Sequence, residues 1–105
     1  MAQRLPVSFN RKPCYDIVFS KTFDELWDEL ADLGAADKRL CIVTDSNVNP
    51  LYGSKVKELL EDKCRKVCIY EFPAGEENKT LDTVKGIYKY LIEEGFGRKD
   101  MLLAL

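Results

Sequence analysis

The sequence predicts an α/β domain, a parallel sheet flanked by helices and preceded by an N-terminal β-hairpin. Three observations carry this. Residues 5–10 and 14–19 are short β-prone runs, and Arg11-Lys12-Pro13 separates them as a hairpin connection would. Three compact apolar strand-like runs follow, 39–44, Lys66–Phe72 and 101–105; the first reads as a strand buried on both faces, as in a parallel sheet, and the last as the start of another buried strand. Between these runs lie two segments whose apolar residues recur at helical spacing. From Arg39 onward the order is therefore β-α-β-α-β, and right-handed crossovers would build a Rossmann-like parallel sheet.

Each element has its own signals. Thr22-Phe23-Asp24-Glu25 reads as a capping box, with the Thr hydroxyl accepting from the Glu25 amide and Glu25 reaching back. Phe23, Leu26, Trp27, Leu30 and Leu33 then follow at helical spacing, and Gly34 suits a left-handed end. The run 39–44 closes on the turn formers Asp45-Ser46-Asn47. Asn49 is expected to cap a second helix with Pro50 at its first position, where a missing N–H costs nothing. Its expected apolar face is Leu51, Tyr52, Val56, Leu59 and Leu60. After Lys66–Phe72 comes the polar loop Pro73-Ala74-Gly75-Glu76-Glu77-Asn78-Lys79-Thr80. Thr80 can cap a third helix with Leu81, Val84, Ile87, Tyr88, Leu91 and Ile92 facing inward, and Gly95 and Gly97 break it. Trp27, Tyr52, Tyr88 and Tyr90 lie on helical patterns and read as packing groups.

Composition narrows the function. The chain has 105 residues, enough for one domain with a modest core, and 46% of them are hydrophobic. Sixteen basic and eighteen acidic residues give a formal charge of −2, so neither nucleic acid nor an anionic membrane is indicated as a partner. No apolar run approaches the roughly 20 residues of a membrane span, and the N-terminus lacks the long apolar stretch of a signal peptide. A cytoplasmic location is the expectation. Cys14, Cys41, Cys64 and Cys68 include no Cys-x-x-Cys pair, and the chain has no histidine. That removes the commonest general base and the commonest transition-metal ligand.

Two strand ends gather chemistry, Asp45-Ser46-Asn47 and Gly75-Glu76-Glu77-Asn78-Lys79. In a parallel sheet both loops lie on the carboxyl edge, where such sheets bind ligands. A carboxylate there can accept both hydroxyls of a ribose, a lysine can offer charge to phosphates, and a glycine lets the backbone pass close to a ligand. The same residue types also serve simple turns and helix starts, so the residues alone leave a turn-only reading open. No Gly-x-Gly-x-x-Gly follows a strand, and Gly95-Phe96-Gly97 reads as helix termination. The basic residues Lys55, Lys57, Lys63, Arg65 and Lys66 are interrupted by Glu58, Glu61 and Asp62, as on a solvated helix face.

Order and spacing reach further than these patterns. The run Ile42-Val43-Thr44-Asp45-Ser46-Asn47-Val48, then Pro50-Leu51-Tyr52-Gly53, then Phe72-Pro73-Ala74-Gly75-Glu76-Glu77-Asn78-Lys79-Thr80-Leu81, then Gly97-Arg98-Lys99-Asp100, resembles the N-terminal part of 3-dehydroquinate synthase. The Pro-x-Gly-Glu-x-x-Lys core is its most specific feature. The resemblance implies an enzyme of the shikimate pathway of aromatic amino acid biosynthesis. That enzyme converts 3-deoxy-arabino-heptulosonate 7-phosphate to 3-dehydroquinate with loss of phosphate. It implies tightly held NAD and a divalent metal, zinc or cobalt. An N-terminal α/β domain supplies much of the NAD site, and a helical C-terminal domain supplies the metal ligands and most substrate contacts.

Carried over by position, Asp45 and Asn47 would lie near the adenosine end of NAD and Glu76 would accept ribose hydroxyls. Lys79 would sit near the phosphates or the nicotinamide ribose, with Ala74, Gly75, Glu77 and Asn78 lining the same loop. The family often has an acidic residue where Ala74 stands. Its Gly-Gly-Gly pyrophosphate loop follows the strand that ends here at Leu105, and its metal ligands come later still. The expectation is that residues 1–105 are a partial NAD-binding domain that alone binds no metal, turns over no substrate and holds NAD weakly.

Three other readings stay open at this level. A sister sugar-phosphate cyclase or a glycerol-dehydrogenase-like oxidoreductase would share the fold and the Asp and Gly-Glu-x-x-Lys positions. A receiver-like signalling domain would use Asp45 as phospho-acceptor, but Phe19-Ser20-Lys21 offers no acidic pair beside it. An assembly module would pair the hairpin edge with a second copy, as a homodimer.

Overall fold

The computed structural model describes residues 3–105. Strands β1 (Gln3–Phe9) and β2 (Lys12–Phe19) form the expected antiparallel hairpin. Its turn is Asn10-Arg11, both left-handed at φ 51° and 66°, rather than the expected 11–13. A two-residue hairpin loop of type I′ needs positive φ at both centres, and asparagine tolerates it. Lys12 and Pro13 therefore enter the strand, and the register shifts between Val7 and Ser8. This bulge accommodates Pro13, which has no N–H for a regular ladder.

Alternation divides the hairpin. On one face Arg4 pairs with Asp16 and with Glu29 of helix α1 (Leu26–Asp32). On the other, Leu5, Tyr15, Ile17 and Phe19 are exposed.

Helix α1 begins later than the capping box suggests. Ser20 Oγ donates to Thr22 O (2.9 Å), and Thr22 Oγ1 accepts from Asp24 N (3.2 Å) instead of Glu25 N. The short polar side chains close a tight local turn that competes with the helical start. Gly34 ends the helix at φ 87°, as expected.

The main sheet has three parallel strands in the order β4 (Lys66–Phe72), β3 (Arg39–Asp45), β5 (Met101–Ala104). The first of the three in sequence is thus central, and the chain crosses from one side of it to the other between β4 and β5. Leu40, Ile42 and Val67 project to one face and bury against Leu30 of α1 and Val56 and Leu60 of α2 (Ser54–Leu60). Cys41 and Cys68 pair across β3 and β4 and alternate with that core face. Burial, and then the neighbouring Cys68, push the Cys41 thiol up to about 12, so it is a neutral small hydrophobe at physiological pH.

Helix α3 (Leu81–Glu93) packs on β4. Thr80 caps it as expected, accepting from Thr83 N (3.3 Å). The Tyr70 and Tyr90 rings lie 5.2 Å apart, and Gly86 leaves room for Tyr70, whose Oη would stand 2.6 Å from a Cβ there. The expected inner stripe is only half right. Val84, Ile87 and Leu91 are partly buried, but Leu81, Tyr88 and Ile92 are exposed. Leu51 and Tyr52 of the second helical segment are exposed as well.

Asp100 fastens the far edge of the sheet. Its carboxylate accepts from Arg39 N (2.8 Å) and Gly97 N (2.7 Å) and pairs with the Arg39 guanidinium (3.4 Å). The Gly97 amide, then the Arg39 amide and side chain, hold this carboxyl below its usual 3.8. A depressed folded value means the stabilisation is full above the unfolded pKa and is lost as pH falls through the folded one. Asp100→Asn is expected to cost about 1–3 kcal/mol at neutral pH. The gap from wild type should narrow below the normal carboxylate range, as paired urea melts across pH 3–7 would show.

Candidate functional site

The carboxyl ends of β3 and β4 carry the polar groups, and the register sets Asp45 opposite Phe72. Asp45 Oδ1 accepts from Asn47 N (2.9 Å) and Val48 N (2.8 Å), closing the turn that leads into the helical segment Asn49–Gly53. The expected cap, Asn49, instead donates from Nδ2 to Glu71 Oε1 (3.0 Å). The reason is order along the chain: helical backbone already starts at Val48, whose carbonyl takes the Leu51 and Tyr52 amides that an Asn49 cap would serve. Both bonds fall on Oδ1, which leaves Oδ2 for a ligand. Asn47 is exposed on the same loop.

The second loop is tied to the first. Ser46 N donates to Phe72 O (2.9 Å), and Ala74 N donates to Ser46 Oγ (2.9 Å). Asn78 Nδ2 donates to Ala74 O (2.9 Å), while Thr83 Oγ1 donates to Asn78 O (2.6 Å). Gly75 takes φ 112°, where a side chain is strained, and an added Cβ would stand 2.6 Å from the Glu77 carboxylate. The turn Glu76–Asn78 follows, closed by Asn78 N to Gly75 O (3.0 Å) and Lys79 N to Glu76 O (3.0 Å).

Glu76 and Lys79 are the charged tip. Lys79 Nζ lies 2.9 Å from Glu76 Oε1, with the side chains 63% and 86% exposed. Glu76 holds the Lys79 ammonium above its usual 10.5, and Asp45 adds a smaller push in the same direction. Lys79 is a fixed cation at neutral pH, within electrostatic reach of both carboxylates. Behind it, Phe72, Leu81, Val84 and Ile87 help line a cleft of about 390 Å³ that is mostly apolar.

The structure therefore brings together Asp45, Asn47, Ala74, Gly75, Glu76, Glu77, Asn78 and Lys79 on one edge. It gives Asn78 and Ala74 bonds within the loop itself. Ser46, which the sequence reads only as a member of the first polar cluster, and Thr83, which it does not single out, hold that loop in place. Among the described residues, no three His, Cys, Asp or Glu side chains gather as a metal site, and no helix is long and apolar enough to cross a membrane.

No family model matches the chain. The 3-dehydroquinate synthase of Streptococcus mutans is 35% identical over 103 residues, covering 97% of this chain and 28% of that protein. The chain is a relative of the 3-dehydroquinate synthases. The Streptococcus pneumoniae 3-dehydroquinate synthase is 43% identical over 68 residues, covering 65% of this chain and 19% of that protein. The chain thus spans under a third of the length of these 3-dehydroquinate synthases.

Among solved structures, 2-deoxy-scyllo-inosose synthase superposes with a TM-score of 0.76 at 22% identity, covering 97% of this chain and 28% of that one. A second structure of that enzyme, complexed with carbaglucose-6-phosphate, NAD+ and Co2+, gives the same TM-score and identity over 26% of its length. At this identity the likeness shows the fold, which is the α/β architecture expected of a 3-dehydroquinate synthase N-terminal region.

Proposed function

We propose that residues 1–105 form part of the N-terminal NAD-binding domain of a cytoplasmic 3-dehydroquinate synthase. The whole protein would cyclise 3-deoxy-arabino-heptulosonate 7-phosphate to 3-dehydroquinate with loss of phosphate. The observation that carries this is one juxtaposition in a chain 35% identical to such an enzyme: Asp45, Glu76 and Lys79 on a single sheet edge. Two carboxylates and a fixed cation suit a dinucleotide, whose ribose hydroxyls donate and whose phosphates are anionic.

Glu76 would accept a pair of ribose hydroxyls, and Asp45 Oδ2 and Asn47 would meet the adenosine end. Lys79 would face a phosphate or the nicotinamide ribose. Ala74, Gly75, Glu77 and Asn78 would line the loop, with Gly75 keeping the backbone close. Bound NAD would supply a reversible hydride acceptor. The residues here would bind and orient. Zinc or cobalt would be held by residues outside these 105, where the resemblance puts the metal ligands.

The solved neighbour favours one second reading, a sister cyclase acting on a hexose phosphate. The full-length polypeptide should form 3-dehydroquinate from the heptulosonate phosphate with NAD and cobalt, while the isolated 105-residue chain forms none. Product from the isolated chain would overturn the division of labour. Turnover of glucose 6-phosphate in place of the heptulosonate would transfer the assignment to a sister cyclase.

A further inference from the structure

We infer that Ser46 and Asn78 are positioning residues that grip Ala74 from both sides and so fix where the Asp45 and Glu76 carboxylates stand relative to one another. The inference rests on the dinucleotide reading above for its purpose, but on backbone geometry for its substance.

The ladder between β3 and β4 ends with the pair Asp45 and Phe72. Ser46 carries it one step further, its N–H reaching Phe72 O at 2.9 Å. Its hydroxyl then takes the N–H of Ala74 at 2.9 Å, beyond the end of the strand. Ala74 O is taken in turn by Asn78 Nδ2 at 2.9 Å. One peptide residue is thus held at both polar groups by side chains, one from each loop.

The grip is anchored on both sides. Ser46 follows Asp45, whose carboxylate is locked on the Asn47 and Val48 amides. Asn78 is fixed by its N–H on Gly75 O (3.0 Å) and by Thr83 Oγ1 on its carbonyl (2.6 Å), and Thr83 belongs to the first turn of α3. Between the two anchors lie Pro73 and Gly75, which offer no ladder of their own: proline has no N–H, and Gly75 sits at φ 112°. Without the brace, this stretch is a loop with exposed backbone, of the kind that opens at little cost. With it, the residue after Asp45 and the residue before Glu76 are joined through Ser46, Ala74, Asn78 and Gly75 by hydrogen bonds. Ligand contacts demand this precision, because displacements near 1 Å cost a large share of binding or rate.

The test uses the full-length polypeptide, with amide hydrogen exchange resolved at Ala74 and equilibrium titration with NADH. Ser46→Ala is expected to speed exchange at Ala74 roughly five- to tenfold, the loss of one hydrogen bond. It should weaken NADH roughly tenfold, with the urea midpoint close to that of the parent. Ser46→Thr keeps the hydroxyl and should restore both. Asn78→Asp removes the donor to Ala74 O and should reproduce the loss through a different residue. Unchanged exchange in both loss variants overturns the brace. Faster exchange with an unchanged NADH constant overturns its positioning role. A parent protein that does not bind NADH, while Ser46→Ala still loosens Ala74, sinks the cofactor reading and leaves the brace standing.

Discussion

Leu40→Ala is expected to lower the unfolding free energy by about 3 kcal/mol, whereas Leu102→Ala should cost well under about 1 kcal/mol. The two leucines sit on neighbouring parallel strands, with Leu40 paired to Met101 and Cys41 to Leu102. Composition and propensity do not separate them. Burial does: Leu40 is wholly buried against the face covered by α1 and α2, and Leu102 is 58% exposed on the opposite one. Removing Leu40 takes away both transfer energy and packing, because its neighbours Leu30, Val56 and Leu60 belong to rigid elements that collapse only in part. A chain of 105 residues commands about 5–15 kcal/mol in all. One such change therefore removes a large part of it, and the melting temperature should fall by roughly 12–24 °C. Urea melts with unchanged slope would measure both variants. Equal losses at the two positions would mean that the sheet is covered on both faces alike.

That contrast also marks where sequence reasoning stops. Strand existence, strand direction and the order of elements follow from apolar runs alternating with helical periodicity, and the structure has all of them. Helix faces are less legible. A helical stripe names the apolar side, but not how much of it a three-stranded sheet reaches, so Tyr88 and Ile92 stay exposed while Ile87 and Leu91 are partly buried. Caps are hidden wherever several short polar residues compete. Val48 O takes the amides that an Asn49 cap would serve, and Thr22 closes a turn ahead of α1. Of the candidate site, the charged members are visible because carboxylates and lysine crowd two strand ends. The brace through Ser46 is not visible, since a bond across 28 residues depends on the register between β3 and β4.

Glu76→Gln should weaken NADH about tenfold to a hundredfold in the full-length polypeptide while leaving the urea midpoint where it was. The two halves of this expectation have separate causes. Hydrogen bonds to a charged acceptor contribute about 1.5–3 kcal/mol, and an amide in place of the carboxylate accepts only through one neutral oxygen. Stability should not follow, because the pair with Lys79 is mostly exposed and such pairs contribute little. The ion pair instead matters for readiness. Glu76 holds Lys79 at 2.9 Å, so a dinucleotide would meet a carboxylate and a cation already close together. Lys79→Met should therefore weaken NADH less than Glu76→Gln and flatten the salt dependence of binding, since the cation acts on phosphate through a screened field. If Glu76→Gln binds NADH as tightly as the parent, the carboxylate is a solvated charge at a helix start. The dinucleotide would then rest on Asp45 and Asn47 alone.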